Sequence, residues 1–213
     1  MTVLAATLTE ILNHLALPLS ASVQQKLLHY LKLLEQWNRV YNLTAITDPR
    51  DQLIKHIGDS LTVAPHLVLL PTQQAWLDVG TGAGLPGIPL ALCFPQWTWT
   101  LLDSNAKKTR FLVQAKSELG LDNISVVHAR VESLPSNQQF DGIICRAWTR
   151  LADIVSLTQS LCAAHGHLYA MKGLYPTAEL ADITQSYRIL PLHVPFLNEQ
   201  RHLVCVNMAG EEA

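Results

Sequence analysis

The sequence predicts an α/β protein built on a mostly parallel seven-stranded sheet and preceded by a helical extension. Two observations carry that expectation. From Ala75 onward, short apolar runs of strand length alternate with helical stretches, the grammar of βα repeats around a parallel sheet. Before that point, residues 1 to about 65 show only helical periodicity. With 213 residues, 49% hydrophobic and 15% charged, the chain is long enough for one sizeable core plus a modest appendage. The expected division is a helical extension over 1–70 and a sheet domain over 71–213.

Taken in order, Leu4, Leu8, Ile11, Leu12 and Leu15 recur at helical spacing and Pro18 ends the run. Ser22 with Gln25 three residues on reads as a capping box opening a second helix. Val23, Leu27, Leu31 and Leu34 line its apolar face as far as Trp37, and residues 38–47 read as a loop. Asp48 before Pro49 is an N-cap with proline at the first helical position. It opens a third helix with Leu53, Ile54, Ile57 and Leu61 on its inner face. Strands are expected near 75–79, 98–102, 124–127, 140–145, 166–171, 188–194 and 202–207. Tryptophan and threonine alternate over residues 97–100, which favours strand over helix at the second of these.

Composition narrows the function classes. A net charge of -2 offers no global basic field, so a nucleic-acid partner must meet a local patch. Cys93, Cys145, Cys162 and Cys205 are far apart, which argues against a zinc ribbon or a disulfide framework and for free thiols in a reducing cytoplasm. His165 and His167 lack the companions that a metal site needs, so no metal is expected. The apolar first twenty residues have no basic start and contain Glu10, and prolines interrupt every candidate membrane span. A soluble cytoplasmic protein without a membrane partner is expected.

The sharpest motif runs from Trp76 to Gly87, a strand entering a glycine-rich turn and then a helix. Gly82, Gly84 and Gly87 match G-x-G-x-x-G, and Gly80 precedes them. Glycines at such a turn let the backbone bend tightly and approach a ligand. Asp78 sits two residues before Gly80, and Asp103 ends the second strand, where an acid can bind both hydroxyls of an adenosine ribose. This Rossmann-like arrangement suits adenosine cofactors in general. A pyrophosphate prefers bare amides, whereas the cationic sulfonium of S-adenosylmethionine tolerates nearby acids such as Asp78. The balance favours the methyl donor over a nicotinamide dinucleotide, for which no Tyr-x-x-x-Lys pair is present. Arg146, at the carboxyl end of the fourth strand, is placed to project into the reaction crevice. The plainer reading pairs it with Glu132 or Asp103 on the surface.

Trp37-Asn38, Asn42-Leu43-Thr44, His56-Ile57-Gly58-Asp59-Ser60, the run from Asp78 to Pro89, Cys145-Arg146-Ala147, Met171-Lys172-Gly173 and Arg201-His202 together resemble the bacterial small-subunit ribosomal RNA guanine-N7 methyltransferases, the glucose-inhibited division protein B family. The resemblance runs over nearly the whole chain. It implies a Rossmann-like class I methyltransferase that acts on 16S ribosomal RNA or the small ribosomal subunit as a monomer. It also implies that Gly80, Leu85, Val131, Glu132 and Arg146 contact S-adenosylmethionine, with Asp103 on the ribose, and Gly82 joins them from the glycine loop. Family members commonly carry serine where Cys145 stands and proline where Ala83 stands.

The chemistry agrees with that expectation. Guanine N7 has a free lone pair and attacks a sulfonium methyl without first losing a proton, so no general base is needed. Orientation is then the enzyme's main contribution, with Arg146 as the expected positioning residue. Arg146-Ala147-Trp148 replaces the Asn/Asp-Pro-Pro-aromatic motif of many exocyclic-amine methyltransferases. Cys145, the one tempting nucleophile for cytosine C5 chemistry, reads as an apolar core residue. Lys107, Lys108, Arg110, Lys172 and Arg201 are candidate phosphate contacts. His56 and Asp59, three apart on a helical face, have no assigned role. A small-molecule methyltransferase and a non-catalytic ribosome-binding module remain as alternatives.

Overall fold

The computed structural model describes residues 2–71 and 74–209. The strands are β1 (Ala75–Val79), β2 (Thr98–Asp103), β3 (Ile124–His128), β4 (Phe140–Arg146), β5 (Cys162–Lys172), β6 (Tyr187–Leu192) and β7 (Arg201–Asn207). They form one sheet in the order β3-β2-β1-β4-β5-β7-β6. The first five run parallel, and β7 inserts antiparallel between β5 and β6, so the sheet is mixed as well as mostly parallel. All seven strands lie where the alternation of apolar runs places them. The chain crosses from β1 to β2 on one side and reaches β4 on the other, which opens a crevice at the carboxyl ends of β1 and β4.

The helices before the sheet are α1 (Val3–His14), α2 (Ala21–Tyr41), α3 (Pro49–Gln52), α4 (Asp59–Leu61) and α5 (Ala64–Leu67). Two expectations need correcting. Ser20, not Ser22, caps α2 by accepting a hydrogen bond from the Val23 amide at 3.3 Å. The helix also continues past Trp37 to Tyr41, where Asn42 ends it in the left-handed region at φ 51°, a conformation that asparagine tolerates. The Asp48 cap holds as expected, its carboxylate accepting from the Asp51 amide at 2.8 Å. Between α3 and α4 the backbone widens into a π-helical stretch, Leu53–Gly58, a feature that recurs at functional sites.

After β1 come α6 (Gly87–Cys93), α7 (Ala106–Leu119), α8 (Leu151–Thr158) and α9 (Thr177–Leu180). One sheet face packs on α8, with Leu77, Ile143, Cys145, Leu168 and Ile154 in its core. The opposite face joins Trp76, Trp99 and Leu203 to Leu8, Ile11, Leu27, Leu34 and Ile57 of the N-terminal helices in one apolar cluster. The Trp76 and Trp97 rings stack at 5.4 Å inside it. The N-terminal helices thus cover a sheet face, and their loops reach the crevice.

Candidate functional site

The glycine turn is held from below by Asp78. This fully buried carboxylate accepts from the Thr81 hydroxyl at 2.6 Å and from the Gly87 amide at 2.8 Å. Burial pushes its pKa up to about 7, against the lowering pull of those two bonds. Asp78 therefore braces the turn and does not line the cavities above it. Tyr30 of α2 adds a second brace, donating to the Ala83 carbonyl at 2.8 Å. Burial raises the Tyr30 pKa, so it remains a donor.

The glycines of the turn do different work. A Cβ on Gly80 would come within 2.5 Å of the Trp148 ring, one on Gly84 within 2.5 Å of Ile88, and one on Gly87 within 2.3 Å of Leu101. These three are glycine because the protein packs against them. Gly82, at φ +63°, has no heavy atom nearer than 3.9 Å, so its bare backbone faces open space.

Two cavities meet above the turn, sharing Gly80, Lys108 and Ala147 in their linings. The smaller, about 500 Å³, is bounded by Asp103, Ala129, Val131, Glu132 and Trp148. The larger, about 730 Å³, is bounded by Gly82, Leu85, Arg146, Met171 and Arg201 together with His56 and Asp59. All seven expected cofactor residues thus border one cavity or both. Asp103 stands in the wall of the smaller cavity, accepting from the Gly82 amide at 2.9 Å and the Asn105 amide at 2.8 Å. Lys108 lies 3.7 Å from its carboxylate.

Arg146 does not pair with Glu132 or Asp103. Its Nη1 donates to Asp59 Oδ2 and to the Lys55 carbonyl, both at 2.9 Å, so the arginine is held by the π-helical stretch and the first residue of α4. Asp59 is 3% exposed, and its Oδ1 lies 3.3 Å from Arg201 Nε, an ion pair without hydrogen-bond geometry. One buried carboxylate therefore holds two arginines, from β4 and β7, at the cavity wall. His56 completes the group, its Nε2 2.8 Å from the Thr44 hydroxyl and its Nδ1 3.5 Å from Arg146 Nη2. Burial and the adjacent Arg146 push its pKa down to about 4, which leaves the ring neutral. Asp59 and His56 are the residues that sequence reasoning left without a role. The available signal was a carboxylate beside the apolar face of Leu53, Ile54, Ile57 and Leu61, a placement that calls for a cationic partner.

The basic candidates divide. Lys107 and Arg110 are exposed on α7, and Lys108 borders both cavities. Lys172 is engaged internally, donating to Glu179 at 2.7 Å and to the Thr149 carbonyl at 3.1 Å. Arg201 is likewise tied to Glu199 at 2.8 Å. Cys145 is buried and its thiol is pushed up to about 12 by burial, so it remains protonated and is no nucleophile.

The crevice is open beside Asp103 in one cavity and beside Arg146 in the other. Known proteins resemble this chain in both fold and sequence. A SAM-dependent methyltransferase from Aquifex aeolicus has the same fold, with a TM-score of 0.57 at 16% identity over 75% of this chain and 94% of that one. The Ribosomal RNA small subunit methyltransferase G of Ectopseudomonas mendocina is 48% identical, covering 90% of both chains. That of Nitrosospira multiformis is 44% identical over 97% of this chain and 99% of the relative. The family model described as rRNA small subunit methyltransferase G matches residues 23–204, and the chain belongs to that family.

Proposed function

We propose that the chain transfers a methyl group from S-adenosylmethionine to N7 of a guanine in 16S ribosomal RNA, acting as a cytoplasmic monomer on naked RNA or the small subunit. The observation that carries this reading is the pair of joined cavities, one edged by Asp103 and the other by Arg146, above a glycine turn. The residues fit the cofactor. Asp103 presents a carboxylate for ribose hydroxyls, Val131 and Glu132 border the space for an adenine ring, and Gly82, with Gly80 and Leu85 beside it, presents bare backbone to the methionine portion.

When bound, S-adenosylmethionine supplies an electrophilic methyl on a sulfonium. The chain's own contribution is orientation. Arg146, fixed by Asp59 and Lys55, directs its remaining guanidinium surface into the larger cavity to position cofactor or base. No side chain has to remove a proton, because N7 reacts through its lone pair. Neutral His56 fits that requirement as a positioning group. Lys107, Lys108 and Arg110 provide the positive charge for the RNA backbone, with Lys172 and Arg201, already paired with Glu179 and Glu199, at the later strand ends.

Labelled S-adenosylmethionine incubated with small subunits from cells lacking this protein should yield 7-methylguanine in the small-subunit RNA. Label appearing only in a metabolite pool would discard the RNA reading. Asp103→Ala should weaken cofactor binding by about 1–3 kcal/mol, the loss expected for a buried hydrogen-bonding partner. Unchanged affinity by calorimetry would remove the ribose assignment.

A further inference from the structure

Two exposed aromatic rings, on the segments that follow Gly173 and precede Glu199 of the larger cavity's wall, are not used by the methyl-transfer reading. Tyr175, 52% exposed, follows β5 and meets the His202 ring edge-on at 5.4 Å. His202 Nδ1 in turn donates to the carbonyl of Gly173, which lines the cavity. Phe196, 51% exposed, stands in the loop between β6 and β7, with the Arg50 guanidinium 5.5 Å from its ring centre. The same loop continues to Glu199 and Arg201 on the cavity wall. Neither ring belongs to the two apolar cores.

Phe196 also carries a backbone cost, since its φ is 68°. A bulky residue is strained in the left-handed region, whereas glycine is not. A half-exposed ring gains little from burial there, and with only the exposed Arg50 contact to gain, folding gives no strong reason for an aromatic at this position. Ligand chemistry does. The cavity lining carries Lys55, Lys108, Arg146, Lys172 and Arg201, each within ion-pair distance of a carboxylate, while Lys107 and Arg110 stand exposed on α7 beside Lys108. Exposed π-faces on the segments flanking the cavity wall, with the exposed cations of α7 nearby, match a polyanion with stackable bases, which describes unpaired RNA.

We propose that Tyr175 and Phe196 are stacking platforms beside the cavity mouth, each holding an unpaired base that neighbours the target nucleotide while Lys107, Lys108 and Arg110 bind the backbone. This rests on the reading of the chain as an RNA methyltransferase and adds how the strand is seated.

The test measures methyl transfer and fluorescence-detected binding at fixed salt, using the full chain, protein-free small-subunit RNA and a labelled single-stranded oligoribonucleotide. Tyr175→Ala and Phe196→Gly should each raise the RNA Kd and KM about 5- to 100-fold, leaving kcat at saturating RNA and cofactor affinity unchanged. Tyr175→Phe and Phe196→Tyr should restore binding. Phe196→Gly suits the local φ, so its melting temperature verifies that the fold is intact. Unchanged Kd and KM in both variants would overturn the proposal. So would a defect seen with assembled subunits but not with protein-free RNA, which would assign the rings to a ribosomal protein. If the unmodified chain bound RNA through these rings yet transferred no methyl, the platforms would stand and the catalytic reading would fall.

Discussion

Asp59 shows how one buried side chain can fix two others at a cavity wall. Its carboxylate pairs with Arg146 and Arg201 in a nearly buried position, and removing its charge leaves Arg146 without a carboxylate partner. Asp59→Asn should therefore slow methyl transfer at least about tenfold. It should also lower stability by about 1–3 kcal/mol. Turnover assays and urea unfolding check both effects, and a variant with normal turnover would reduce Asp59 to a structural brace. Arg146 and Asp103 were legible in the sequence because strand ends place them at the crevice. The partner of Arg146 was not, since it lies 87 residues away and only packing brings the two together.

At the level of elements, the glycine turn connects local sequence to tertiary packing. Gly87→Ala would force a methyl against Leu101 and the Asp78 carboxylate, one buried and apolar, the other fixed by two hydrogen bonds. Overpacking of that kind costs about 1–3 kcal/mol. A clear fall in melting temperature is expected, and little change would show that β2 yields to the added methyl. The turn and all seven strands could be read from the sequence because their apolar runs are short and sharply bounded. The ends of α2 could not. Ser20 and Ser22 are both plausible caps, and the exposed last turn to Tyr41 lacks an apolar stripe to announce it. The π-helical stretch is equally invisible to periodicity, because it preserves the buried face of Leu53, Ile54 and Ile57 while shifting the backbone bonds.

For the whole molecule, two buried groups oppose each other in their pH dependence. Burial pushes the Asp78 pKa up from 3.8 to about 7, so the folded protein keeps a proton that the unfolded chain has lost. That contribution to stability declines as pH rises from about 4 to about 7. Burial and Arg146 push His56 down from 6.5 to about 4, so the unfolded chain binds a proton that the folded protein refuses. Its contribution declines as pH falls over the same range. Asp78→Asn should therefore make stability climb more steeply with pH between about 4.5 and 6.5, and His56→Gln should tilt the slope the other way. Urea unfolding at three pH values measures this, and equal slopes in both variants would refute the opposition. The sequence by itself determined the βα order, the strand positions, the glycine turn and the acid after β2, because each follows from local periodicity and backbone chemistry. Only the tertiary structure decided that the N-terminal helices share a core with one sheet face, that Asp78 lies beneath the turn, and that Asp59 holds Arg146 and Arg201. These depend on contacts between residues far apart in the chain, and such contacts form only when buried apolar faces and unpaired charges find their partners in the folded state.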